Sequence, residues 1–207
     1  SLSSRGVLSS DERVTTVKTR VIGNNQQLLR VDTERTDPIN SLTEFALIER
    51  IKEITEKEGI DAIIFEDYNK GILTENVIRS VIEFANSKNV ITTVDPKKEN
   101  FFTYSNVTLF KPNLKELKDG VGKNFEMSDR SAFLEAVQAL KAQINPKLTF
   151  ITLSEHGVYM NEADEDHFMP AHLRVIADVS GAGDTVISVA TLCLTCNLAP
   201  KVVAEIA

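Results

Sequence analysis

The sequence predicts an α/β protein with three layers, in which helices cover both faces of a mainly parallel central sheet. Short apolar runs typical of buried strands alternate with longer segments of helical spacing, and this alternation favours parallel strands joined by helices. Of the 207 residues, 42% are hydrophobic, which is enough for one sizeable core. We therefore divide the chain into a small β lid with its flanking segment, residues 1–34, and an α/β core, residues 35–207.

The first predicted element is the antiparallel hairpin of the lid. Val17, Thr19 and Val21 point to one side of a strand, whereas Lys18 and Arg20 point to the other. Turn residues at 23–25 separate this run from a second alternating run at 28–33. An isolated hairpin is marginally stable in water, so this one needs further strands or a partner.

The core elements follow a break at Asp37-Pro38, after which strand and helix patterns alternate. Gly59 ends the first predicted helix, and Thr74 caps the second. In chain order we predict a helix at 42–58, a strand at 62–65, a helix at 74–87, strands at 90–94 and 107–110, a helix at 128–143, a strand at 148–153, an edge hairpin of 157–160 and 167–169, and an apolar helix from 186.

Composition argues against several classes of protein. The formal net charge is −7, from 30 acidic and 23 basic residues, so long tracts of nucleic-acid phosphate would be repelled. The most apolar stretch, 186–196, is about half as long as a membrane-spanning helix. With two cysteines and no basic, apolar leader, we expect a cytoplasmic protein without nucleic-acid or membrane partners. Because the chain starts without Met and stops inside an apolar-periodic segment, we also expect it to be part of a longer protein.

The segment 178–185, DVSGAGDT, carries the most chemical information. Gly181, Ala182 and Gly183 open the apolar helix, where free backbone amides and the positive end of the helix dipole favour an anion. Asp184 at the same junction can accept a proton from a hydroxyl aligned with a bound phosphoryl group. A plain helix start with an acidic first turn is the structural alternative. Four small residues, an aspartate and an apolar helix together favour a phosphate site.

This segment resembles the late signature D-x-x-G-A-G-D-T of the ribokinase-like (PfkB) carbohydrate kinases, with Ser180 where threonine is usual. The resemblance implies a ribokinase-like fold in which Asp184 is the catalytic base. It also implies that the amides of 181–183 form an anion hole for the transferring phosphoryl group and that Asp178 contributes to the nucleotide site. The matching residues are Asp178, Gly181, Ala182, Gly183, Asp184 and Thr185.

Two further segments agree with this family. The resemblance ties the N-x-x-E motif of Asn113 and Glu116 to the phosphates of ATP and, through water, to Mg²⁺. The same spacing is that of a helix capping box, and the two interpretations are compatible. Thr152, Ser154 and Gly157 resemble the T-x-G-x-x-G segment that lines the ATP site in the family, with Ser154 in place of the usual first glycine.

Three more segments resemble the D-glycero-β-D-manno-heptose 7-phosphate kinases: NQQLLRVD at 25–32, DYNKG at 67–71 and DPK at 95–97. These kinases use ATP to phosphorylate the anomeric C1 hydroxyl of a sugar phosphate, early in ADP-heptose synthesis for bacterial lipopolysaccharide. The resemblance implies that Asp67 contacts the sugar. In these relatives the lid strands often pair between subunits, so a homodimer through the lid is also implied.

A substrate that carries a phosphate requires cations near its binding pocket. Lys18 and Arg20 share one face of the lid and Arg30 lies on the facing strand, although a plain solvated face is the alternative for all three. Lys70 and Lys97 each follow a predicted parallel strand, at the edge where α/β sheets bind ligands, although either could be a surface lysine. We predict that these five residues bind the sugar phosphate.

Two other functions stay open on the sequence alone. One is a ribokinase-like kinase for another sugar, sugar phosphate or nucleoside, and the other is a catalytically silent sensor of a sugar phosphate or nucleotide. The intact Asp184 argues against a silent sensor. Cys193 and Cys196 have C-x-x-C spacing inside the apolar helix without a second pair, so we interpret them as core residues rather than zinc ligands.

Overall fold

The computed structural model describes residues 3–24, 26–171 and 181–207. In chain order the strands are β1 (Val17–Gly23), β2 (Gln26–Thr33), β3 (Ala62–Glu66), β4 (Ile91–Asp95), β5 (Leu109–Phe110), β6 (Leu148–Thr152), β7 (Val158–Glu162) and β8 (Glu165–Met169). The helices are α1 (Ser41–Glu58), α2 (Glu75–Ser87), α3 (Leu114–Val121), α4 (Arg130–Ile144), α5 (Ala182–Thr195) and α6 (Pro200–Ile206).

Strands β3 to β8 form one six-stranded sheet in sequential order. β3, β4, β5 and β6 run parallel, whereas β7 and β8 are antiparallel and lie at one edge. β1 and β2 form a separate two-stranded antiparallel sheet. The mainly parallel sheet, the edge hairpin and the small β lid predicted from the sequence are therefore confirmed.

Helices cover both faces of the six-stranded sheet. α1 to α4 pack on one face around a cluster that includes Phe110, Phe133 and Ile151. α5 and α6 pack on the other face around Leu109 and Phe150. Side chains alternate across a sheet, so successive residues of one strand enter different layers. Each large apolar side chain buried in this way stabilises the folded chain by about 1.5–3 kcal/mol. The predicted three-layer architecture is confirmed.

Capping side chains set the helix boundaries. Thr74 accepts the N–H of Val77 and begins α2, as predicted. α4 begins two residues later than predicted, because the carboxylate of Asp129 accepts the N–H of Ala132 and caps the helix there. α1 ends at Gly59, which has the left-handed φ of 67° that favours glycine.

Two side chains are more exposed than the sequence predicts. Ile64 of the predicted buried strand is 38% exposed, because β3 is the edge strand of its sheet. Cys193 is buried, but Cys196 follows the last residue of α5 and is exposed, so only the first of the two is a core residue.

Within the described residues, no helix combines the length and apolarity needed to cross a membrane.

The lid hairpin has one charged and one apolar face. Lys18 lies directly opposite Asp32, and Arg20 lies directly opposite Arg30, so all four side chains share a face. The other face carries four large apolar side chains that are each at least 45% exposed: Val17, Val21, Leu29 and Val31.

Candidate active site

Charged and polar side chains lie close together at one edge of the six-stranded sheet. Because β3 to β6 are parallel, their carboxyl ends meet there, with Glu66 ending β3, Asp95 ending β4 and Thr152 ending β6. Lys111 follows β5 at the same edge. The N-terminus of α5, which packs against β3 and β4, also lies at this edge. The topology thus brings segments far apart in sequence to one place.

The N-terminus of α5 begins with Gly181, which has a left-handed φ of 77°. Gly183 approaches the sheet closely: a Cβ atom on it would lie 3.3 Å from Oδ2 of Asp95 and 3.6 Å from Nζ of Lys111. Asp184 lies in the first turn and is exposed. Small residues therefore let this helix terminus, with its free amides, sit directly above two charged groups.

Asp184 is held by a tyrosine from the other side of the site. The hydroxyl of Tyr68 donates to Asp184, with oxygen–oxygen distances of 3.0 Å to Oδ1 and 2.9 Å to Oδ2. Burial and the hydrogen bond to Asp184 raise the pKa of Tyr68 to about 12, so the phenol stays protonated at neutral pH. Nζ of Lys18 in the lid lies 5.3 Å from the centroid of the Tyr68 ring. The lid therefore touches the residue that orients Asp184.

A cavity of about 510 Å³ separates the lid from the end of β3, and we call it the lid-side cavity. Lys18 and Lys70, two of the predicted substrate ligands, both line it, and Nζ of Lys70 is paired with Glu34. Glu66 and Tyr68 line it as well. A cavity of this volume suits a small-molecule ligand.

Asp67 also lines the lid-side cavity, but its carboxylate binds groups of the protein. The hydroxyl of Tyr104 and the amide of Asn100 donate to Oδ2 at 2.7 and 3.1 Å, and the N–H of Asn69 donates to Oδ1 at 2.8 Å. Burial, with the charge of Asp67, raises the pKa of Tyr104 far above its usual value. These contacts hold the loop 67–71 in place, and a direct sugar contact by Asp67 stays a prediction.

The two lid arginines lie farther out on the charged face and do not line the lid-side cavity within the described residues. Arg20 faces Arg30 across the hairpin, and Nε of Arg30 lies 2.9 Å from Oδ1 of Asp32. Like charges directly opposite each other on two strands are destabilising. Among the described residues, Arg30 is thus balanced by a carboxylate on its own face and Arg20 is not.

A chain of ion pairs lies beneath the N-terminus of α5. Nζ of the buried Lys111 lies 3.0 Å from Oδ2 of Asp95, which is itself buried. Nζ of Lys97 lies 3.5 Å from Oδ1 of Asp95 and donates to Oε1 of Glu116 at 2.8 Å. Lys97 therefore sits beside the N-x-x-E motif rather than in the lid-side cavity. Its predicted contact with the sugar stays a prediction.

Three carboxylates converge at the same point. One oxygen each of Glu66, Asp95 and Asp184 lies within 4.8 Å of the others. Burial, with the charges of Asp95 and Asp184, raises the pKa of Glu66 to about 6. Asp95 is neutralised by its two lysines, which leaves Glu66 and Asp184 as the carboxylates available to a ligand.

A second cavity of about 520 Å³ lies on the α5 and α6 side of the sheet, and we call it the helix-side cavity. All three residues of the predicted nucleotide segment and two of the predicted anion hole line it: Thr152, Ser154, Gly157, Ala182 and Gly183. Ser154 has a φ of 56°, so it keeps the left-handed backbone that favours the glycine usual at this position. Asp178 lies outside the described residues.

A model of the pfkB family carbohydrate kinases matches residues 49–203 of the chain. The chain belongs to this family. Bifunctional protein HldE of Helicobacter hepaticus is 36% identical over 183 residues, which are 88% of this chain and 37% of HldE. HldE of Helicobacter pylori strain G27 is 36% identical over 203 residues, 98% of this chain and 43% of HldE. The chain spans less than half the length of these relatives.

Solved structures of low sequence identity share the fold of this PfkB chain. The tetrameric inhibited form of phosphofructokinase-2 from Escherichia coli superposes with a TM-score of 0.74 at 17% identity, covering 92% of this chain and 61% of that one. An ADP complex of Bacillus subtilis pyridoxal kinase gives a TM-score of 0.64 at 16% identity, covering 93% and 74%. The ribokinase-like α/β fold is confirmed.

Asn113 and Glu116 of this PfkB chain form the capping box of α3. The N–H of Glu116 donates to Oδ1 of Asn113, and the N–H of Asn113 donates to Oε2 of Glu116, both at 2.8 Å. The capping interpretation is confirmed. Each carboxylate oxygen has a second lone pair, so Glu116 fits a role in orienting a water of Mg²⁺, and that role stays a prediction.

Glu116→Gln is expected to raise the Mg²⁺ concentration that gives half-maximal rate. The amide can still accept the N–H of Asn113 and keep the cap, but it removes the charge that would order metal-bound water. Titration of the initial rate with Mg²⁺ at fixed ATP measures the change. Glu126→Gln, an exposed carboxylate in the loop after α3, is the matched control. An unchanged Mg²⁺ titration would reduce Glu116 to its capping role.

Three residues of the site were not predicted from the sequence. Lys111 carried a weak signal, since it is a charged residue directly after an apolar strand. Tyr68 lay inside the DYNKG segment without an assigned role, and Glu66 preceded that segment. Their partners come from other strands and helices, so their roles appear only in the folded chain.

Proposed function

We propose that this chain transfers the γ-phosphoryl group of ATP to the C1 hydroxyl of D-glycero-β-D-manno-heptose 7-phosphate, in the cytoplasm. The observation that carries this proposal is that the N-terminus of α5 lies between the two cavities. Gly183 lines the helix-side cavity, and the adjacent Asp184 is hydrogen-bonded to Tyr68 of the lid-side cavity. ATP in the helix-side cavity and sugar in the lid-side cavity would meet at Asp184.

The groups around the N-terminus of α5 each have a stated role in this proposal. Asp184 accepts the proton of the attacking hydroxyl, and the free amides of 181–183 stabilise charge on the transferring phosphoryl group. Tyr68 orients the carboxylate of Asp184 through its hydroxyl. When bound with ATP, Mg²⁺ would neutralise phosphate charge, and the carboxylate of Glu116 supports its placement through water.

The direct test is to supply ATP with a panel of acceptors and to measure ADP release, with ³¹P NMR to locate the new phosphate. The panel contains heptose 7-phosphate, the unphosphorylated heptose, fructose 6-phosphate and a nucleoside. We expect heptose 7-phosphate to have the highest kcat/KM and the new phosphate to be on C1. A higher kcat/KM for another acceptor would favour a different PfkB kinase. Binding of sugar phosphate without ADP release would favour a sensor.

The charged lid face supports a substrate that carries its own phosphate. Arg20 and Arg30 face each other across the hairpin, Asp32 pairs with Arg30, and a phosphate dianion nearby would relieve the repulsion of the two arginines. Lys18 and Lys70 line the cavity at the inner end of this face. Burying a phosphate without such partners would be very costly.

Alanine at Lys18, Arg20 or Arg30 is therefore expected to erode the preference for heptose 7-phosphate over unphosphorylated heptose. A lost charge-assisted contact corresponds to about a tenfold or larger fall in kcat/KM for the phosphorylated sugar alone. Measuring kcat/KM for both sugars in each variant tests this, with Lys52→Ala on α1 as the control. Proportional losses with both sugars would remove the phosphate assignment.

The apolar lid face supports a homodimer in which the lids of two subunits pack together. Leaving its four apolar side chains in water is unfavourable, and a two-stranded sheet is marginal on its own. Leu29→Lys is expected to shift the protein to monomer, because a buried unpaired charge would be placed in the interface. Analytical ultracentrifugation measures this, with Leu42→Lys on α1 as the control. A wild-type monomer, or a dimer unaffected by Leu29→Lys, would contradict this assembly.

A further inference from the structure

Glu66 is a carboxylate of the site that the roles above do not use. It ends β3, lies beside Asp95 of β4 in register, and lines the lid-side cavity. One of its oxygens lies within 4.8 Å of an oxygen of Asp184. It therefore faces the same space as the group that receives the acceptor hydroxyl.

The carboxylate of Glu66 makes neither a hydrogen bond nor an ion pair with any residue that the structure describes, which distinguishes it from its neighbours. Asp67 binds three donors of the protein, and Asp95 is paired with Lys97 and Lys111. A partly buried carboxylate without donors is costly, and the raised pKa of Glu66 reflects that cost. A ligand that brings a hydroxyl donor to this position would relieve it.

The distance of Glu66 from Asp184 determines which hydroxyl of the sugar would lie within its reach. Neighbouring hydroxyl oxygens on a sugar ring are about as far apart as two hydrogen-bonded atoms, roughly 3 Å. Two carboxylates within 4.8 Å of each other can thus each accept from one member of a vicinal pair. If Asp184 accepts from the C1 hydroxyl, the adjacent donor is the hydroxyl on C2.

We propose that Glu66 is a specificity-determining residue that accepts a hydrogen bond from the C2 hydroxyl of the acceptor sugar; this assignment rests on the proposed function. Lys18 and Lys70 lie around the same cavity, and neither is paired with Glu66. In this arrangement two carboxylates bind two vicinal hydroxyls of the sugar, and Asp184 also accepts the proton of the attacking hydroxyl. A sugar that lacks the C2 hydroxyl leaves Glu66 without its donor and is selected against.

The test compares heptose 7-phosphate with its 2-deoxy analogue in the full-length protein, by kcat/KM and by calorimetric binding without ATP. In wild type, loss of a hydrogen bond to a charged group should weaken the 2-deoxy sugar about 10- to 100-fold. Glu66→Ala should bring the two sugars to within a few-fold of each other, with the KM for ATP unchanged. Glu66→Gln keeps an acceptor oxygen and should retain part of the preference. Glu83→Gln, an exposed carboxylate on α2, is the charge control.

Failure of this assignment and failure of the proposed function give different results. If no sugar is phosphorylated but binding still prefers the 2-hydroxyl through Glu66, the kinase proposal fails and the Glu66 assignment stands. If phosphorylation occurs and Glu66→Ala leaves the preference unchanged, the Glu66 assignment is overturned. Equal binding of the two sugars by wild type, or binding of neither, also overturns it. A changed Mg²⁺ requirement with an unchanged sugar preference would reassign Glu66 to the metal.

Discussion

Replacing Asp184 by Asn is expected to lower kcat by about 10²- to 10⁴-fold, the usual contribution of a positioned general base. Asn is nearly isosteric with Asp, and its Oδ1 can still accept the hydroxyl of Tyr68, so the first turn of α5 should keep its conformation. The amide cannot accept the proton of the attacking hydroxyl. The KM values for ATP and sugar should therefore change only a few-fold.

The matched control for this prediction is Asp119→Asn, which removes an exposed carboxylate from α3. Steady-state kinetics give kcat, and calorimetric titration with ATP shows whether the helix-side cavity still binds nucleotide. Turnover of Asp184→Asn within a few-fold of wild type would remove Asp184 from its role as base. A loss of ATP binding would instead indicate that the charge of Asp184 is needed to organise the site.

Features that depend on neighbours in sequence were predictable from the sequence alone. The capping box of Asn113 and Glu116 needs only two residues three positions apart, and the start of α5 needs only its small residues and Asp184. The two faces of the lid follow from alternation along β1, because a strand has a side-chain period of two. These local rules were sufficient for the fold class, for the capping box of α3 and for the start of α5.

Features that depend on tertiary placement were not predictable. The hydrogen bond from Tyr68 to Asp184 joins residues 116 positions apart, and no local pattern predicts it. Lys97 follows a strand as expected, but its ammonium group donates to Glu116 at the start of α3. Lys97 therefore lies away from the lid-side cavity. Both outcomes depend on which strand ends become neighbours, and the order of strands in the sheet determines that.

Breaking the buried ion pair beneath the N-terminus of α5 is expected to have the largest effect on stability. Lys111 is 2% exposed, and removing its charge by Lys111→Met would leave the carboxylate of Asp95 buried with Lys97, at 3.5 Å, as its one cation among the residues that the structure describes. Breaking a buried pair in this way costs roughly 3–5 kcal/mol, and the remaining lysine should hold the loss near the lower end, about 3 kcal/mol. The midpoint of urea unfolding should fall accordingly, whereas the exposed Lys115→Met should change the free energy of unfolding by less than about 0.5 kcal/mol.

A double-mutant cycle separates this ion pair from a simple packing defect. Asp95→Asn removes the partner charge, so the variant that combines it with Lys111→Met should be less destabilised than the sum of the two single variants, by more than about 1 kcal/mol. Strict additivity would mean that Lys111 contributes only its apolar stem. Because a Cβ on Gly183 would lie 3.6 Å from Nζ of Lys111, the single variant should also lower kcat. The double variant should show this stability coupling without any recovery of kcat, since the cation below the N-terminus of α5 is still missing.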